Sequence, residues 1–256
     1  MEWNVLLLLQ KKPHCPEIYK CGMTDICSFM TMQLLGHSLS AIRRKCKFEQ
    51  RRFSLNATFR VTAQCVIAIR DLHKIGFLHR DIKPSNFAIG ADKQSERKIY
   101  MLDFGLCRGF VGEDNRLKPE RPKGTVGFRG TARYASMAAH RGDDLSRRDD
   151  LWSLFYTFIE LLAGILPWRS FNEKNIVFTM KKQFTPEVFC RAMMPEVSEF
   201  VDSVGKLSFA DEPNYEKCAS LFETAVDKLG FKRDDPYDWQ LEECLNLPHW
   251  KPPPIP

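Results

Sequence analysis

Hydrophobic residues recur at intervals of three and four between residues 56 and 74, which is the spacing of one buried face of a helix. The stripe consists of Val61, Cys65, Ala68 and Leu72. Asn56 or Thr58 is a suitable N-terminal cap, and Gly76 stands where a left-handed residue commonly follows the last turn. The pattern predicts an amphipathic helix from Asn56 to Lys74.

A second helix is predicted at residues 151–162, which are apolar almost all round, as expected in the centre of a large core. Gly164 and Pro167 would end this helix. The apolar run Trp3–Leu9 is interpreted as the last turns of a buried helix, because basic residues follow the run, whereas they precede it in a signal peptide. Further helical patterns cover residues 38–45, 172–183, 195–207 and 214–229.

Two hairpins are predicted from short β-compatible runs that are separated by turn residues. The first hairpin joins strands near Glu17–Cys21 and Cys27–Met32, and the second joins Phe87–Ile89 and Lys98–Leu102. Residues 103–136 are rich in Gly, Pro and Arg without a clear period, which predicts a long functional loop. The order of elements indicates an α+β fold with one small hairpin-containing part and one large helical part.

The composition is that of an ordinary soluble globular protein, with 44% hydrophobic and 27% charged residues among 256. The formal net charge of +6 fits acidic or phosphorylated partners, but it fits an ordinary basic surface equally well. The nine cysteines include no C-x-x-C pair, which argues against a zinc site or a disulfide framework and for reduced thiols in the cytoplasm or the nucleus. No apolar run approaches the roughly 20 residues of a membrane-spanning helix. We expect a monomer that binds neither membranes nor nucleic acids.

Two motifs carry groups for phosphoryl transfer. Residues 79–86 read His-Arg-Asp-Ile-Lys-Pro-Ser-Asn, and residues 103–105 read Asp-Phe-Gly. Asp81 is the candidate base for a substrate hydroxyl, and Lys83 is close enough in sequence to reach the transferring phosphate. Asn86 and Asp103 supply oxygen atoms, which Mg²⁺ prefers as ligands. Surface turns are the alternative interpretation, but the full His-Arg-Asp-x-x-x-x-Asn pattern favours transfer from ATP to a hydroxyl.

With these motifs the chain resembles the eukaryotic protein kinases, and within them the casein kinase I group and its tau-tubulin kinase branch. The resemblance runs from about Glu2 to Gln240 and is carried by residues 76–88, 101–106, 128–136, 149–154, 166–168 and 235–239. It implies a protein kinase-like fold with ATP and Mg²⁺ as cofactors. The implied activity is that of a serine/threonine kinase acting on proteins with acidic or phosphorylated segments.

The resemblance assigns a nucleotide site to residues outside the two motifs. Met32 would be the gatekeeper, and the backbone from Gln33 to Leu35 would be the hinge that pairs with adenine. Ala88 and Leu102 would lie beneath the base. Each of these residues alone could equally be a packing residue, and only its place relative to the motifs indicates the role.

Two further roles concern charged residues. The resemblance implies that Asp150 braces the catalytic loop at residues 79–86. A carboxylate that opens an apolar helix needs a partner, which supports this role. Arg133 is the candidate site for an anionic group of the substrate, although a basic run is often only a solvated face. Asn172 stands where related kinases often place a lysine, which weakens the case for a phosphate pocket. The basic residues of the activation segment are Arg108, Arg116, Lys118, Arg121, Lys123, Arg129 and Arg133.

The predicted organisation has three parts. Residues 1–35 would be a remnant of the small lobe (the end of a helix, a hairpin and the hinge), residues 36–245 the large lobe, and residues 246–256 a Pro-rich tail. Glu2 would be the glutamate that pairs with a lysine on a preceding strand, but neither that lysine nor a glycine-rich phosphate loop is in the sequence. Two hypotheses follow: a kinase, or a catalytically impaired kinase-like module that binds acidic partners.

Overall fold

The order of helices and strands in the chain follows the predicted order closely. We describe it from a computed structural model that covers residues 2–45, 52–114, 116–184, 186–191 and 193–241. The α-helices are α1 (Glu2–Leu9), α2 (Leu39–Lys45), α3 (Leu55–Lys74), α4 (Met137–Arg141), α5 (Arg147–Ala163), α6 (Lys174–Gln183), α7 (Pro186–Arg191), α8 (Pro195–Gly205) and α9 (Tyr215–Lys228). The strands are β1 (Ile18–Met23), β2 (Ser28–Met32), β3 (Leu35–Ser38), β4 (Phe77–Leu78), β5 (Phe87–Gly90), β6 (Ile99–Met101) and β7 (Arg108–Gly109). Short 3-10 turns cover Pro84–Asn86 and Asp238–Gln240.

Helices α3, α5 and α9 form the centre of the core, as the apolar faces of the first two predict. The rings of Phe59 and Phe158 meet edge to face with centroids 5.4 Å apart, and Phe222 lies 5.5 Å from Phe158. Leu6 and Leu9 of helix α1 belong to the same buried cluster. The packed aromatic rings therefore hold α1 and the large helical part around one core.

Helix α3 begins at Leu55, one residue earlier than predicted. The cap is Ser54, whose hydroxyl accepts a hydrogen bond from the Ala57 amide at 3.1 Å. The predicted caps Asn56 and Thr58 are wrong, because both lie inside the helix and are buried. At the other end Gly76 adopts φ +84°, the left-handed conformation expected of it.

Helix α5 also begins earlier than predicted, at Arg147 rather than at residue 151. The Asp149 carboxylate accepts a hydrogen bond from the Ser146 amide at 2.8 Å, which stabilises the first turn. The helix ends at Gly164, which has φ +77°. The short helices α4 and α7 were not predicted.

The strands form three small antiparallel sheets. Strands β1 and β2 pair with each other, as the first predicted hairpin requires, and β5 pairs with β6 as the second requires. Strand β3 joins β5 through the pair Leu35 and Gly90. The predicted boundary of the small part at residue 35 therefore falls inside a strand of the larger sheet. Strand β7 lies within the predicted long loop and pairs with β4.

The small hairpin-containing part is bonded directly to strand β6. The His14 carbonyl accepts a hydrogen bond from the Met101 amide at 2.9 Å, and His14 Nδ1 donates to the Ile99 carbonyl at 2.7 Å. The side-chain amide nitrogen of Gln33 donates to the Tyr100 hydroxyl at 3.2 Å. None of the described helices is long and apolar enough to cross a membrane. The predicted tail at residues 246–256 lies outside the described residues.

Candidate active site

The loop at residues 79–86 lies between strands β4 and β5 and is attached to the core through Asp150. This carboxylate, only 2% exposed, accepts hydrogen bonds from the His79 amide at 2.7 Å and the Arg80 amide at 2.8 Å. It also accepts one from His73 Nε2 at 2.8 Å. Asp150 thus braces the loop, as the resemblance implies.

Asp150 is ionised, and the loop that it holds contains a strained residue. Burial alone would raise the pKa of the Asp150 carboxyl, but the hydrogen bonds and charges of His73 and His79 outweigh burial, so the pKa lies below its ordinary value. Arg80 has φ +66°, a left-handed conformation that costs a non-glycine residue of the order of 1–2 kcal/mol. The ionised carboxylate therefore holds a strained loop in place.

Asp81 meets Lys83 and Thr131 in a compact triangle. The Lys83 ammonium lies 2.6 Å from Asp81 Oδ2, and the Thr131 hydroxyl donates to Asp81 Oδ1 at 2.8 Å. The Lys83 ammonium also donates to the Thr131 hydroxyl at 3.1 Å. A carboxylate held in this way can accept the proton of an alcohol. The ammonium beside it can stabilise negative charge on a group that reacts with that alcohol. Thr131 was not predicted, because it lies 50 residues from Asp81 and no local pattern marks it.

Gly130 allows Thr131 to reach the carboxylate. It has φ +92°, and a Cβ atom at this position would stand 2.4 Å from the Arg80 carbonyl oxygen. No side chain larger than hydrogen fits there without a shift of one of the two backbones. The close approach of the activation segment to the catalytic loop therefore depends on this glycine.

Asn86 and Asp103 lie on loops that are bonded to each other. The Asn86 side-chain nitrogen donates to the Asp81 carbonyl at 3.0 Å, and the Asn86 carbonyl accepts from the Leu102 amide at 2.8 Å. This fixes the orientation of the Asn86 side-chain amide. Its oxygen accepts a long hydrogen bond from the Ser85 hydroxyl at 3.4 Å and keeps a second lone pair for another ligand. The Asp103 carboxylate is exposed, and its residue has φ +64°.

The donor chemistry of this pair fits magnesium. Mg²⁺ commonly takes one or two protein oxygens and completes its shell with water and substrate phosphates. Among the described residues no group of three or more His, Cys, Asp or Glu side chains could hold a metal ion. Magnesium at Asn86 and Asp103 would therefore depend on oxygens from a nucleotide and from water.

The structure describes the predicted nucleotide residues but leaves their role a prediction. Met32 and Leu102 are half-buried. The main-chain amide of Gln33 donates to the Glu17 carbonyl at 2.7 Å, so the main-chain carbonyl of Gln33 is the group left to bond adenine. Ala88 is 1% exposed in the sheet, so contact with a base would require it to be uncovered. Leu35 belongs to strand β3 rather than to a free hinge.

Glu2 lies against the Asp-Phe-Gly motif. Its carboxylate accepts a hydrogen bond from the Phe104 amide at 3.2 Å. This contact between the first helix and the backbone after Asp103 was not predicted. Where the resemblance expects a lysine partner for Glu2, the structure shows a main-chain partner.

Arg133, the predicted anion site, turns towards the protein. Its Nη2 atom donates to the Arg169 carbonyl at 3.3 Å, and its Nε atom is buried without a hydrogen-bond partner among the described residues. A denser group of positive charge lies at Arg80, whose pKa is lowered by burial and also by the neighbouring charges of Arg108 and Arg129. The anion role of Arg133 stays a prediction.

The comparisons with known proteins agree with this geometry. A sequence model of the family described as "Protein kinase domain" matches residues 1–233. The chain is 38% identical over 242 residues to a probable serine/threonine-protein kinase of Dictyostelium discoideum, a match that covers 94% of this chain and 48% of that protein. It is 34% identical over 248 residues to a putative serine/threonine-protein kinase of Caenorhabditis elegans, covering 96% of this chain and 70% of that protein. A putative casein kinase I of the same organism is 31% identical over 253 residues, with 96% and 72% covered.

The chain spans about half the length of the first of these relatives. The family match extends over both loops and over the helices that position them. It also includes Thr131 and Asp150, which contact those loops at the distances given above. The chain belongs to the protein kinase domain family.

Proposed function

We propose that this chain is a serine/threonine protein kinase domain of the casein kinase I group, which transfers the γ-phosphoryl group of ATP to protein hydroxyls. The observation that carries the proposal is the triangle of Asp81, Lys83 and Thr131, with contacts of 2.6, 2.8 and 3.1 Å. A lysine beside the catalytic carboxylate is typical of kinases that act on serine and threonine. The two relatives from Dictyostelium discoideum and Caenorhabditis elegans are also named as serine/threonine-protein kinases.

In the proposed reaction each side chain has a separate task. Asp81 accepts the proton of the acceptor hydroxyl, and Thr131 holds the carboxylate in the orientation that receives it. Lys83 places positive charge beside the phosphoryl group that is transferred. Asn86 and Asp103 would hold magnesium, which when bound neutralises charge on the phosphates.

Substrates with acidic or already phosphorylated segments are proposed on electrostatic grounds. Besides burial, the charges of Arg108 and Arg129 lower the pKa of Arg80, against the opposite effect of Asp150, so three guanidinium groups lie near one another beside the activation segment. Asp144 neutralises part of this charge, since it pairs with Arg108 and with Arg121, the latter at 2.9 Å. The remaining guanidinium groups favour an anionic peptide close to the acceptor site.

One observation favours a second candidate, a kinase-shaped module that binds acidic partners without phosphoryl transfer. The Glu2 carboxylate, which the resemblance pairs with a lysine, accepts a hydrogen bond from the Phe104 amide at 3.2 Å. A lysine in that position normally holds the nucleotide phosphates. The kinase proposal is preferred because a binding module has no need for the Asp81 triangle.

The test uses the purified full chain with γ-labelled ATP, Mg²⁺ and casein. We expect label on serine and threonine, and a loss of about 100-fold or more in rate in Asp81→Asn, because a general base typically contributes that much. Asp227→Asn, which changes an exposed carboxylate on helix α9, is the matched control and should keep the rate.

Three results would speak against the proposal. Label mainly on tyrosine would refute the serine/threonine assignment. Equal rates in Asp81→Asn and in the unchanged chain would refute the role of Asp81. No label at all, together with no shift in unfolding temperature on addition of ATP and Mg²⁺, would leave the binding module.

A further inference from the structure

Lys181 on helix α6 is a buried lysine that the proposed reaction does not use. The residue is only 3% exposed, and its ammonium donates to the Ala135 carbonyl at 2.6 Å and to the Ala132 carbonyl at 3.0 Å. Both acceptors belong to residues 130–136, which we call the acceptor loop. A helix far along the chain therefore bonds this loop at two points.

The Lys181 ammonium is surrounded by main-chain carbonyls and aromatic rings. The ammonium lies 4.3 Å from the centre of the Tyr156 ring and 5.1 Å from that of Trp168. In the part of the chain that the structure describes, no carboxylate lies within ion-pair distance of it. Burial lowers the pKa of Lys181 well below its ordinary value. A buried cation that is stabilised only by main-chain oxygens and rings is costly, which indicates a specific task.

Two other side chains bond the same loop from the same side. His140 Nε2 donates to the Ala132 carbonyl at 3.1 Å, and the Trp168 indole donates to the Arg133 carbonyl at 2.8 Å. With Lys181, the carbonyls of residues 132, 133 and 135 are all bonded by side chains outside the loop. Among the side chains that the structure describes, Lys181 alone donates to two of these carbonyls, so it links the two halves of the loop.

The other end of this loop contacts the catalytic carboxylate. Thr131 precedes Ala132 directly and contacts Asp81 at 2.8 Å and Lys83 at 3.1 Å. A shift of the Ala132 peptide of about 1 Å would lengthen both contacts, and shifts of this size can cost about 100-fold in rate.

We propose that Lys181 is a positioning residue, which holds the acceptor loop so that Thr131 stays against Asp81 and the peptide substrate meets a preformed surface. This proposal rests on the proposed kinase function for its kinetic consequence but not for its structural one. The ammonium acts through Ala132 and Ala135 and does not contact the reacting atoms itself.

The experiment compares Lys181→Met, which keeps the long apolar stem, with Lys181→Arg, which keeps a cation and its donors. Lys182→Met is the matched control, because the neighbouring lysine is exposed. Amide hydrogen exchange is measured over residues 130–136 and over helix α5. We expect exchange in the acceptor loop to rise about tenfold or more in Lys181→Met, because a charged donor to two carbonyls is lost, while exchange in helix α5 changes little.

The kinetic arm uses a casein peptide and ATP with the full chain. We expect kcat/KM for the peptide to fall about tenfold or more in Lys181→Met while KM for ATP changes less than about twofold, with partial recovery in Lys181→Arg. A uniformly weakened fold would instead change both constants and the exchange of α5.

The two proposals fail in different ways. If the unchanged chain transfers no phosphate, the kinase function fails, and hydrogen exchange alone decides the role of Lys181. If Lys181→Met folds and its loop exchanges as in the unchanged chain, the positioning role is refuted. If Lys181→Met does not fold, Trp168→Phe removes the single donor to the Arg133 carbonyl and leaves a smaller aromatic ring. Unchanged loop exchange in that variant would overturn the preformed-loop account.

Discussion

Replacing Asp150 by asparagine should destabilise the protein and its catalytic loop together. The substitution keeps the size of the side chain but removes its charge and turns one acceptor oxygen into a donor. The carboxylate now receives three hydrogen bonds at 2.7, 2.8 and 2.8 Å. The His79 and Arg80 amides donate to different oxygens of the carboxylate. Asparagine has a single acceptor oxygen, so at least one of these two amides would face its NH₂ group.

The expected loss follows from these contacts. A hydrogen bond to a charged group is worth about 1.5–3 kcal/mol, and an unsatisfied buried donor costs about 1–3 kcal/mol. Local relaxation and entry of water recover part of this, so we expect a loss of about 2–4 kcal/mol in the free energy of unfolding. For a chain of this size this lowers the midpoint of thermal unfolding by about 5–15 °C.

The pH dependence provides a second check on the same variant. The pKa of Asp150 is lower in the folded chain than in the unfolded chain, so the carboxylate stabilises the fold fully above about pH 4. This contribution is lost as the pH falls through the lowered folded value. The stability difference between the unchanged chain and Asp150→Asn should therefore be constant near pH 7 and shrink in acid.

The assay is urea unfolding at pH 7 and at several acidic pH values, followed by tryptophan fluorescence. Asp202→Asn on helix α8 is the control, because that carboxylate is exposed. A loss below about 1 kcal/mol in Asp150→Asn, or one equal to that of the control, would refute the bracing role.

Two further substitutions test the other local arguments. Gly130→Ala should lower kcat/KM for the peptide about tenfold or more, because φ +92° and the Arg80 carbonyl at 2.4 Å leave no room for a methyl group. Gly127→Ala is the control and should keep the rate, because the nearest atom there is 3.7 Å away. Equal rates in Gly130→Ala and in the unchanged chain would contradict the close approach. Ser54→Ala should lower the free energy of unfolding by about 2 kcal/mol, because the helix cap and the 2.5 Å bond to Asp238 are both lost. Urea midpoints would measure this, with Ser54→Thr as the rescue, and an unchanged midpoint in Ser54→Ala would count against the cap.

Elements whose signal lies in neighbouring residues could be predicted from the sequence. The first hairpin and the body of helix α3 are examples, because strand alternation and helix periodicity are local properties. The cap of α3 could not be chosen in this way. Ser54 was selected over Asn56 and Thr58 by a partner, Asp238, that is 184 residues away.

The candidate site shows the same division. Asp81 and Asn86 stand in one motif, so their shared loop was predictable. Thr131 reaches that loop, and Lys181 reaches the acceptor loop, only through the folded chain. The start of helix α5 is a different case. The sequence contains a capping pattern at residues 146–149, but the apolar run from residue 151 is the stronger periodic signal and predicted a later start.

The bonds between His14 and strand β6 have a mechanical consequence. This strand ends at Met101, and only Leu102 separates it from Asp103. Residues 10–13 connect helix α1 to His14 through turns with main-chain hydrogen bonds, and the His14 carbonyl accepts from the Met101 amide at 2.9 Å. Because this connection is short and hydrogen-bonded, a tilt of helix α1 should displace the main chain beside Asp103.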